Sequence, residues 1–494
     1  MKRIFIFIAC AICACNGFSQ YDANWTFGDG TGLFFSEDTI IPFESSISGF
    51  EAQASISDSS GNLLFYTNGQ NVWNREHELM PNGTGLKIGK LSPDSAFGSS
   101  ITQGVIILPM PLSERMYYIF YNKDNALENG LDYCVVDMDA ESGLGDVIEK
   151  NITILERPTT EKMQAVQHAN GRDWWLMIHS SIIITDEDWP DYITTFLITP
   201  SGIEGPFDQE PGFETVDDDN YNGLGQMKFN RQGNMLAYTR GKHVELADFD
   251  RCTGLLSNWY TIKNVHEYGT YGCEFSPDGT KLYITGGIVS PSNNTQLYQY
   301  CLNCKDEIID STKQLIYKEN FEDFKLGQLQ LGTNNRIFIA MTYIYPDYIF
   351  SFQNMNLSII NTPNNIGLSS DFDTLTLSLN GKGVKGGLPN MPNYNLGALA
   401  GSGCDTVISG VINSEQLKNA ITFYPNPAYD YIIISGDINA NDILKIYSAD
   451  GRVVLQEKIN TTNTKVDISK LPPGVYVIQI SEDGLVKYSE KLFK

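Results

Sequence analysis

The chain has 494 residues, of which 42% are hydrophobic and 12% aromatic, a composition typical of a folded protein too long for one ordinary core. Its formal net charge of −25 repels phosphate backbones and anionic lipid headgroups, so binding to nucleic acid or to membrane surfaces is disfavoured. The same charge suits a soluble protein outside the cytoplasm and is compatible with cation binding.

The first segment, residues 1–19, is predicted to be a signal peptide. Two basic residues begin it, and the apolar stretch Ile4 to Cys15 that follows is too short for a membrane span. Gly17-Phe18-Ser19 then provides a cleavage site that leaves Gln20 as the first mature residue. A lipoprotein signal is the alternative, because the sequence around Cys13 loosely resembles a lipobox. No other segment approaches the ~20 apolar residues of a transmembrane span.

Residues 20–403 contain many short apolar runs separated by Gly, Asn, Asp and Pro turns, with almost no helical periodicity. A repeat recurs among them, consisting of a strand, a turn related to Ser-Pro-Asp-Gly, and a second strand. Its copies occupy residues 54–66, 104–120, 165–178, 225–239, 272–285 and 327–340. A propeller blade has about four strands. Copies of the repeat spaced roughly 45 to 60 residues apart therefore predict a six- or seven-bladed β-propeller.

A seventh blade is expected to be shared between the two ends of this body. Residues 25–28 and 32–35 resemble strands near its start, and residues 387–390 resemble a first strand near its end. Pairing these stretches would close the ring and remove its exposed edges. The polar residues 404–420 lack the repeat and are predicted to form a linker.

The last unit, residues 421–494, is predicted to be a small Ig-like β-sandwich, because alternating strands are joined by Asp-Gly and Pro-Gly turns. Its motif residues are Pro425, Asn426, Pro427, Gly451, Gly474 and Tyr476. This ordered set closely resembles the type A C-terminal sorting domain of the type IX secretion system of Bacteroidetes. The resemblance implies export to the periplasm, transfer across the outer membrane by the type IX machinery, and release or attachment at the cell surface. The alternative is an accessory Ig-like module that binds a ligand itself.

The body also resembles a group of Bacteroidetes surface proteins. The matching stretches are residues 24–28, 61–69, 72–74, 80–83, 168–175 and 250–254. This resemblance implies a WD40-like propeller and brings no established activity with it.

Six cysteines remain after signal removal, and export favours disulfides among them. Cys252 and Cys273 lie in adjacent predicted strand regions and are the expected pair. Cys301 and Cys304 form an isolated CxxC, and zinc binding there would lack a second pair of ligands.

Two histidines and two tryptophans are candidate binding residues. His168 and His179 bracket a predicted strand and could line a central channel as metal ligands or as a base. The structural alternative places His168 in a blade turn. Trp174 and Trp175 could form a sugar platform, or they could pack between blades, since adjacent strand residues face opposite sides.

Acidic clusters are the candidate metal sites, because closely spaced carboxylate oxygens suit Ca²⁺. Asp217, Asp218 and Asp219 are the calcium candidates, and residues 186–191 and 371–373 are weaker ones. None of these stretches has the spacing of an EF-hand, and a solvated acidic loop is the alternative for each. No other cofactor is expected.

The sequence contains no HExxH, GxSxG or phosphate-binding loop motif, so catalytic residues stay unassigned and a non-catalytic role is favoured. We therefore expect a surface propeller that binds an extracellular protein or glycan. A secreted hydrolase, lyase or lactonase that uses the central channel is the alternative, because propellers host both roles. A structural component of gliding or biofilm surfaces is a third interpretation.

Overall fold

The computed structural model describes residues 20–494 except for 37–38, 90–97, 124–129, 181–190, 213–222, 288–294, 305–307, 320–323, 344–350, 405–420, 425–427, 437, 440–441, 449–451, 460, 462–463, 473 and 483–484. The chain divides into two compact units, with the boundary between Val407 and Ile408. The described residues are almost entirely strands and turns. They include three short 3-10 helices, Glu141–Gly143, Ile309–Thr312 and Gly367–Ser370. None of the described helices is long and apolar enough to cross a membrane.

The described part of the first unit contains seven antiparallel sheets, each formed by one continuous stretch of chain. The first sheet has three strands, β1 (Asn24–Phe27), β2 (Asp29–Phe35) and β3 (Ile40–Ser48). The second to fourth sheets have four strands each: β4 (Ala54–Ser57), β5 (Leu63–Thr67), β6 (Asn71–Asn74) and β7 (Leu79–Thr84); β8 (Val105–Pro109), β9 (Met116–Asn122), β10 (Leu131–Asp137) and β11 (Asp146–Leu155); β12 (Met163–Gln167), β13 (Trp174–Ser180), β14 (Tyr192–Thr199) and β15 (Gly202–Gln209). The fifth to seventh sheets follow the same plan: β16 (Met227–Phe229), β17 (Met235–Arg240), β18 (His243–Asp250) and β19 (Leu255–Ile262); β20 (Thr270–Phe275), β21 (Lys281–Gly286), β22 (Thr295–Cys301) and β23 (Gln314–Glu319); β24 (Phe324–Leu331), β25 (Ile337–Tyr343), β26 (Asn356–Ile360) and β27 (Phe372–Ser378).

Consecutive sheets contact one another through their first strands, β4 with β8, β8 with β12, β12 with β16, β16 with β20, and β20 with β24. The ring closes where Phe338 of the last sheet packs against Trp25 and Phe35 of the first, with ring centroids 5.5 and 5.4 Å apart. Sheets arranged in this way around a common axis are the blades of a β-propeller. The predicted fold is confirmed, with seven blades among the described residues.

The repeated turn explains why each blade begins as a tight hairpin. In the sixth blade, Gly279 adopts a positive φ of 73° at the end of the Ser-Pro-Asp-Gly turn, a conformation that costs glycine little. The Ser276 hydroxyl and the Thr280 N–H both donate to Asp278 Oδ1, at 2.6 and 3.0 Å. These bonds satisfy the polar groups of the turn locally, so the hairpin forms from neighbouring residues alone.

The first blade lacks an innermost strand. Asn24, at the start of β1, donates to the carbonyl oxygen of Gly61 beyond the end of β4, at 2.8 Å. Gly28, just past the end of β1, donates its N–H to Gln53 Oε1 before the start of β4, at 2.9 Å. Strand β1 therefore runs antiparallel to β4, and β1, β2 and β3 correspond to the second, third and fourth strands of the other blades.

Residues 383–399, here called the axial segment, begin at the missing strand position. The Asp29 N–H donates to the Gly383 carbonyl oxygen at 3.0 Å, which forms a single antiparallel bridge. The two ends of the body were predicted to share a blade, and they pair only through this one bridge, because residues 387–390 belong to no strand. Residues 383–392 are nevertheless all buried.

Asn390 fastens the axial segment in the centre of the ring. Its side-chain amide donates to the carbonyl oxygens of Val105 and Met163, at 3.3 and 3.0 Å, on the inner strands of the third and fourth blades. Its side-chain oxygen accepts from the Gln103 and Gln164 amides, at 3.1 and 3.2 Å. The segment therefore crosses the propeller axis and fills the central channel at this level.

The axial segment leaves the ring near the fourth and fifth blades. The Gly397 N–H donates to Gln167 Oε1 at 2.7 Å, and the Leu399 N–H donates to the Ala169 carbonyl oxygen at 2.8 Å. Arg251 donates to the Gly397 carbonyl oxygen. Between the two ends, the apolar side chains of the segment are buried in the core; they are Val384, Leu388, Met391 and Tyr394.

Asp22 is a charged group placed against this core. Its charge acts on buried Tyr394 of the axial segment, and its Oδ1 has no hydrogen-bond partner. Burial raises the pKa of Asp22 to about 6, although its own backbone N–H and the charge of Arg231 favour the ionised form.

Replacing Asp22 by asparagine is expected to stabilise the protein above pH 6 but not below pH 4. The folded-state pKa is raised, so the contribution of Asp22 is fully present below its unfolded value and is lost as the pH rises through about 6. This loss is about 2 to 3 kcal/mol and is absent in the Asp22→Asn variant, which carries no charge. Chemical denaturation of both proteins at pH 4 and pH 8 measures the difference. A stability difference of equal size at both pH values would contradict the prediction.

The second unit consists of two sheets. The three-stranded sheet contains β28 (Thr422–Tyr424), β29 (Tyr431–Ser435) and β32 (Thr464–Asp467), and the four-stranded sheet contains β30 (Asp442–Ser448), β31 (Val453–Ile459), β33 (Val475–Glu482) and β34 (Leu485–Phe493). Ile432 and Ile434 of the first sheet share one buried core with Leu444 and Ile478 of the second, which makes the unit a β-sandwich as predicted.

Two of the predicted motif residues lie in the described part of this unit. Gly474 exchanges backbone hydrogen bonds with Lys494 at the end of the chain, at 2.8 and 3.0 Å. The Tyr476 hydroxyl donates to the Pro472 carbonyl oxygen at 2.7 Å. Pro425, Asn426, Pro427 and Gly451 lie outside the described residues.

Candidate functional site

The propeller has two different faces. We call upper the face at which the inner strands of the four-stranded blades begin, and lower the face at which they turn into the second strands. The chain passes from one blade to the next at the upper face, whereas the repeated Ser-Pro-Asp-Gly-like turns lie at the lower face.

The two predicted histidines lie on opposite faces. His168 is in the lower turn before β13, where Nδ1 accepts from the Asn170 N–H and Nε2 bonds to the Cys252 carbonyl oxygen, both at 3.0 Å. His179 is near the upper end of β13, with Nε2 2.5 Å from Asp191 Oδ1 and Nδ1 3.0 Å from the Thr160 hydroxyl. Most of a strand, about 20 Å, separates the two rings, so they cannot bind one metal ion together.

The two predicted tryptophans are both buried in the fourth blade. Trp174 packs against Tyr394 of the axial segment, with ring centroids 5.9 Å apart. Trp175 faces the other side of the sheet, where its indole N–H donates to the Arg251 carbonyl oxygen at 2.9 Å. Neither ring presents an open face for stacking on a sugar.

The predicted calcium candidates Asp217, Asp218 and Asp219 lie outside the described residues. Of the weaker candidates, Asp373 accepts from the Asn361 amide at 2.8 Å near the lower face. Within the described ranges, no three His, Cys, Asp or Glu side chains converge as ligands for a metal ion.

The predicted Cys252–Cys273 disulfide is wrong. Cys252 lies in the lower turn after β18 and is bonded to Cys404, which follows the axial segment, with 5.6 Å between the Cα atoms. Cys273 is a free and completely buried thiol on inner strand β20. The CxxC cysteines Cys301 and Cys304 are bonded to each other.

The upper end of the channel carries a pair of carboxyl groups from two blades. Thr102 joins them, because its hydroxyl oxygen lies 2.5 Å from Glu161 Oε2 and 3.3 Å from Glu51 Oε2. The Thr102 N–H also donates to Glu161 Oε2, at 3.0 Å. Glu51 lies against Gly386 of the axial segment, where a Cβ atom would come within 2.5 Å of Glu51 Cγ. We call Glu51 and Glu161 the axial acid pair.

Burial and the neighbouring Glu161 perturb the carboxyl group of Glu51. Burial is the main cause that raises the pKa of Glu51 well above its ordinary value, and the charge of Glu161 raises it further. The hydroxyls of Tyr271 and Thr102 act in the opposite direction. Burial also raises the pKa of Tyr271, and the charges of the two glutamates add to that shift.

A second group of ionisable side chains lies beside the acid pair. Lys162 is completely buried, which lowers its pKa to about 7 against the opposing charges of Glu161 and Asp191. Burial raises the pKa of Asp191, but its partners His179, Arg240 and Lys162 lower it more, so that the net shift is downward.

The lower face carries a groove of about 540 Å³ between the fifth, sixth and seventh blades. It is lined by Arg231, Pro277, Asp278, Asn335, Asn361, Thr362, Pro363, Asn364 and Asn365. Arg231 donates to the Asn335 side-chain oxygen, and the Asp278 N–H donates to Asn364 Oδ1 at 3.2 Å. The Tyr283 hydroxyl donates to the Pro363 carbonyl oxygen at 2.8 Å. The groove is therefore polar, rich in side-chain amides and preorganised by bonds between blades.

Comparison with known proteins gives a direct result for the C-terminal unit. Residues 422–494 match the family described as the secretion system C-terminal sorting domain. The C-terminal unit is a type IX sorting domain. It makes the chain a cargo of the type IX secretion machinery, destined for secretion or for attachment at the outer cell surface.

Solved structures similar to the body are distant. A putative 6-phosphogluconolactonase from Bacteroides fragilis is 14% identical, with coverage of 75% of this chain and 97% of that one and a TM-score of 0.39. PorZ, a surface component of the type IX secretion system of Porphyromonas gingivalis, is 11% identical, with coverage of 96% and 75% and a TM-score of 0.27. Both TM-scores are low, so the propeller fold rests on the strand pairing described above. No curated protein matches the chain.

Proposed function

We propose that the mature protein is an extracellular binding propeller that recognises a glycan at the lower groove. The observation that carries this proposal is the axial segment, whose residues 383–392 are all buried in the centre of the ring. A channel filled by the chain itself leaves no passage in which a substrate could cross the axis. Recognition is therefore expected on a face, and the lower groove offers a concave surface there.

The groove chemistry favours a ligand rich in hydroxyl groups. Each asparagine amide offers two donors and one acceptor, so a row of them can satisfy hydroxyls that both donate and accept. Asn335 and Asn364 are exposed and held in place by Arg231 and by the Asp278 backbone, which lowers the entropy lost on binding. The protein's charge of −25 disfavours acidic polysaccharides, so neutral or basic glycans are expected.

Replacing Asn364 or Asn335 by alanine is expected to weaken glycan binding at least tenfold, about 1.4 kcal/mol, because a buried hydroxyl of the ligand would lose its partner. The purified mature chain is first tested on an array of neutral, basic and acidic glycans, and the strongest ligand is then titrated against each variant. Asn62→Ala is the matched control, because Asn62 is an exposed asparagine in the lower turn of another blade. Equal affinity of all three variants, or no glycan bound at all, would contradict the proposal.

A second candidate function is hydrolysis at the upper face. It is favoured by the axial acid pair, since two carboxyl groups lie on one hydroxyl oxygen and burial raises the pKa of Glu51, which suits this group to act as a general acid. Under this alternative, the mature chain hydrolyses glycoside or lactone substrates and Glu51→Gln abolishes the activity. Activity retained by Glu51→Gln would eliminate this candidate.

A further inference from the structure

The axial acid pair brings together oxygen atoms from four blades. Glu51, Thr102 and Glu161 come from the second, third and fourth blades, and Tyr271 comes from the sixth. All of these groups are hard oxygen donors, and the described residues place no imidazole nitrogen or sulfur atom among them. Hard donors of this kind select Ca²⁺ or Mg²⁺ over zinc or copper.

The Tyr271 hydroxyl is the observation that points to a ligand. The side chain is only 3% exposed, and its hydroxyl lies near Glu51 and Thr102 without completing a well-directed hydrogen bond to either. A buried hydroxyl in this state costs about 1 to 3 kcal/mol unless a further group satisfies it. Two carboxyl groups in contact with one hydroxyl oxygen also repel each other when both are ionised. One bound cation would remove both costs.

We infer that the axial acid pair, with the Thr102 and Tyr271 hydroxyls, forms a binding site for one divalent cation of the Ca²⁺ type. Ca²⁺ fits better than Mg²⁺, because its coordination sphere is larger and more flexible and the four donors come from separate blades. The cation fixes the upper ends of these blades around the start of the axial segment, where Glu51 contacts Gly386. This site is independent of the lower groove.

Terbium luminescence tests the site directly, because Tb³⁺ replaces Ca²⁺ at oxygen sites and is excited by energy transfer from a nearby tyrosine. Titration of the mature chain is expected to give saturable Tb³⁺ emission that Ca²⁺ displaces. The Glu51→Gln and Glu161→Gln substitutions are each expected to lower the Ca²⁺ affinity, measured by displacement of Tb³⁺, at least tenfold, or by about 1.4 kcal/mol. Tyr271→Phe is expected to lose most of the emission while the calorimetric Ca²⁺ affinity falls less than for either glutamine variant.

Matched controls separate this site from others. Tyr133→Phe removes a tyrosine of the outer part of the third blade and is expected to leave the emission unchanged. Asp278→Asn alters a lower-face carboxyl group and is expected to leave Ca²⁺ affinity unchanged. Absence of saturable emission, or emission unaffected by both glutamine variants while they stay folded by circular dichroism, overturns the inference. Glycan binding measured with and without EDTA shows whether the lower groove works without the cation, so the two proposals fail separately.

Discussion

Replacement of Asn390 by alanine is expected to lower the free energy of unfolding of the mature chain by about 3 to 5 kcal/mol. The Asn390 amide group makes four hydrogen bonds in the centre of the ring, two to backbone carbonyls and two from glutamine side chains. Alanine leaves the carbonyl oxygens of Val105 and Met163 buried without these partners, and no water can reach them easily at a fully buried position. Denaturant unfolding of the mature chain measures the loss.

Asn393→Ala is the matched control for this prediction. Asn393 belongs to the same axial segment, but it is only half-buried, and its side-chain amide group makes two hydrogen bonds instead of four. It donates to the Arg231 carbonyl oxygen at 2.8 Å and accepts from the Asn395 N–H at 3.0 Å. A loss within about 1 kcal/mol is expected for it. If Asn390→Ala cost no more than Asn393→Ala, the hydrogen bonds of Asn390 would contribute little to holding the blades together.

The blade hairpins could be predicted because their determinants are local. In the Ser276 to Gly279 turn, a proline, a capping aspartate and a glycine of positive φ all lie within four residues. The sorting domain could be predicted for a similar reason, since its motifs follow one another in a fixed order along a short stretch of sequence. Both signals are independent of how distant parts of the chain meet.

The axial segment could not be predicted, because its structure depends on partners far away in sequence. Gly387-Leu-Pro-Asn390 has the composition of a strand preceded by a turn, but the bonds of Asn390 reach residues 226 to 287 positions away. The pairing of Cys404 could not be predicted for the same reason. The sequence places Cys404 at the start of the predicted linker, whereas in the structure it follows the axial segment to the lower face and bonds to Cys252.

The axial acid pair has a weak signal in the sequence that belongs to no catalytic motif. Glu51-Ala-Gln-Ala and Glu161-Lys-Met-Gln-Ala both place a glutamate shortly before a Gln-Ala pair at the start of an inner strand. Since all inner strands start at the upper face, repeated acids at this position must approach the same end of the channel. The two glutamates therefore occupy equivalent positions when the blades are compared by their inner strands, although the repeated turns give no indication of them.

Loss of the Cys252–Cys404 disulfide is expected to cost far more stability than loss of the Cys301–Cys304 disulfide. The first bond joins residues 152 positions apart, and the entropy of closing so long a loop corresponds to about 5 kcal/mol. The second joins residues 3 positions apart and corresponds to about 2 kcal/mol. Paired serine substitutions, Cys252→Ser with Cys404→Ser and Cys301→Ser with Cys304→Ser, are compared by denaturant unfolding without reductant. Equal losses in the two double variants would contradict the expectation.

The position of the Cys252–Cys404 disulfide also bears on export. Cys404 lies between the axial segment and the sorting domain that starts at residue 422, so the bond fastens the end of the body upstream of the junction. Removal of the sorting domain within residues 405–420 would then leave the axial segment tied to the lower face by covalent and hydrogen bonds together.

Limited proteolysis of the two double variants provides the check. Cleavage between residues 393 and 404 is expected only without the Cys252–Cys404 bond, because the end of the segment is then held by hydrogen bonds alone. Cleavage of the wild type at the same sites and rate would show that the bond does not hold the segment in place.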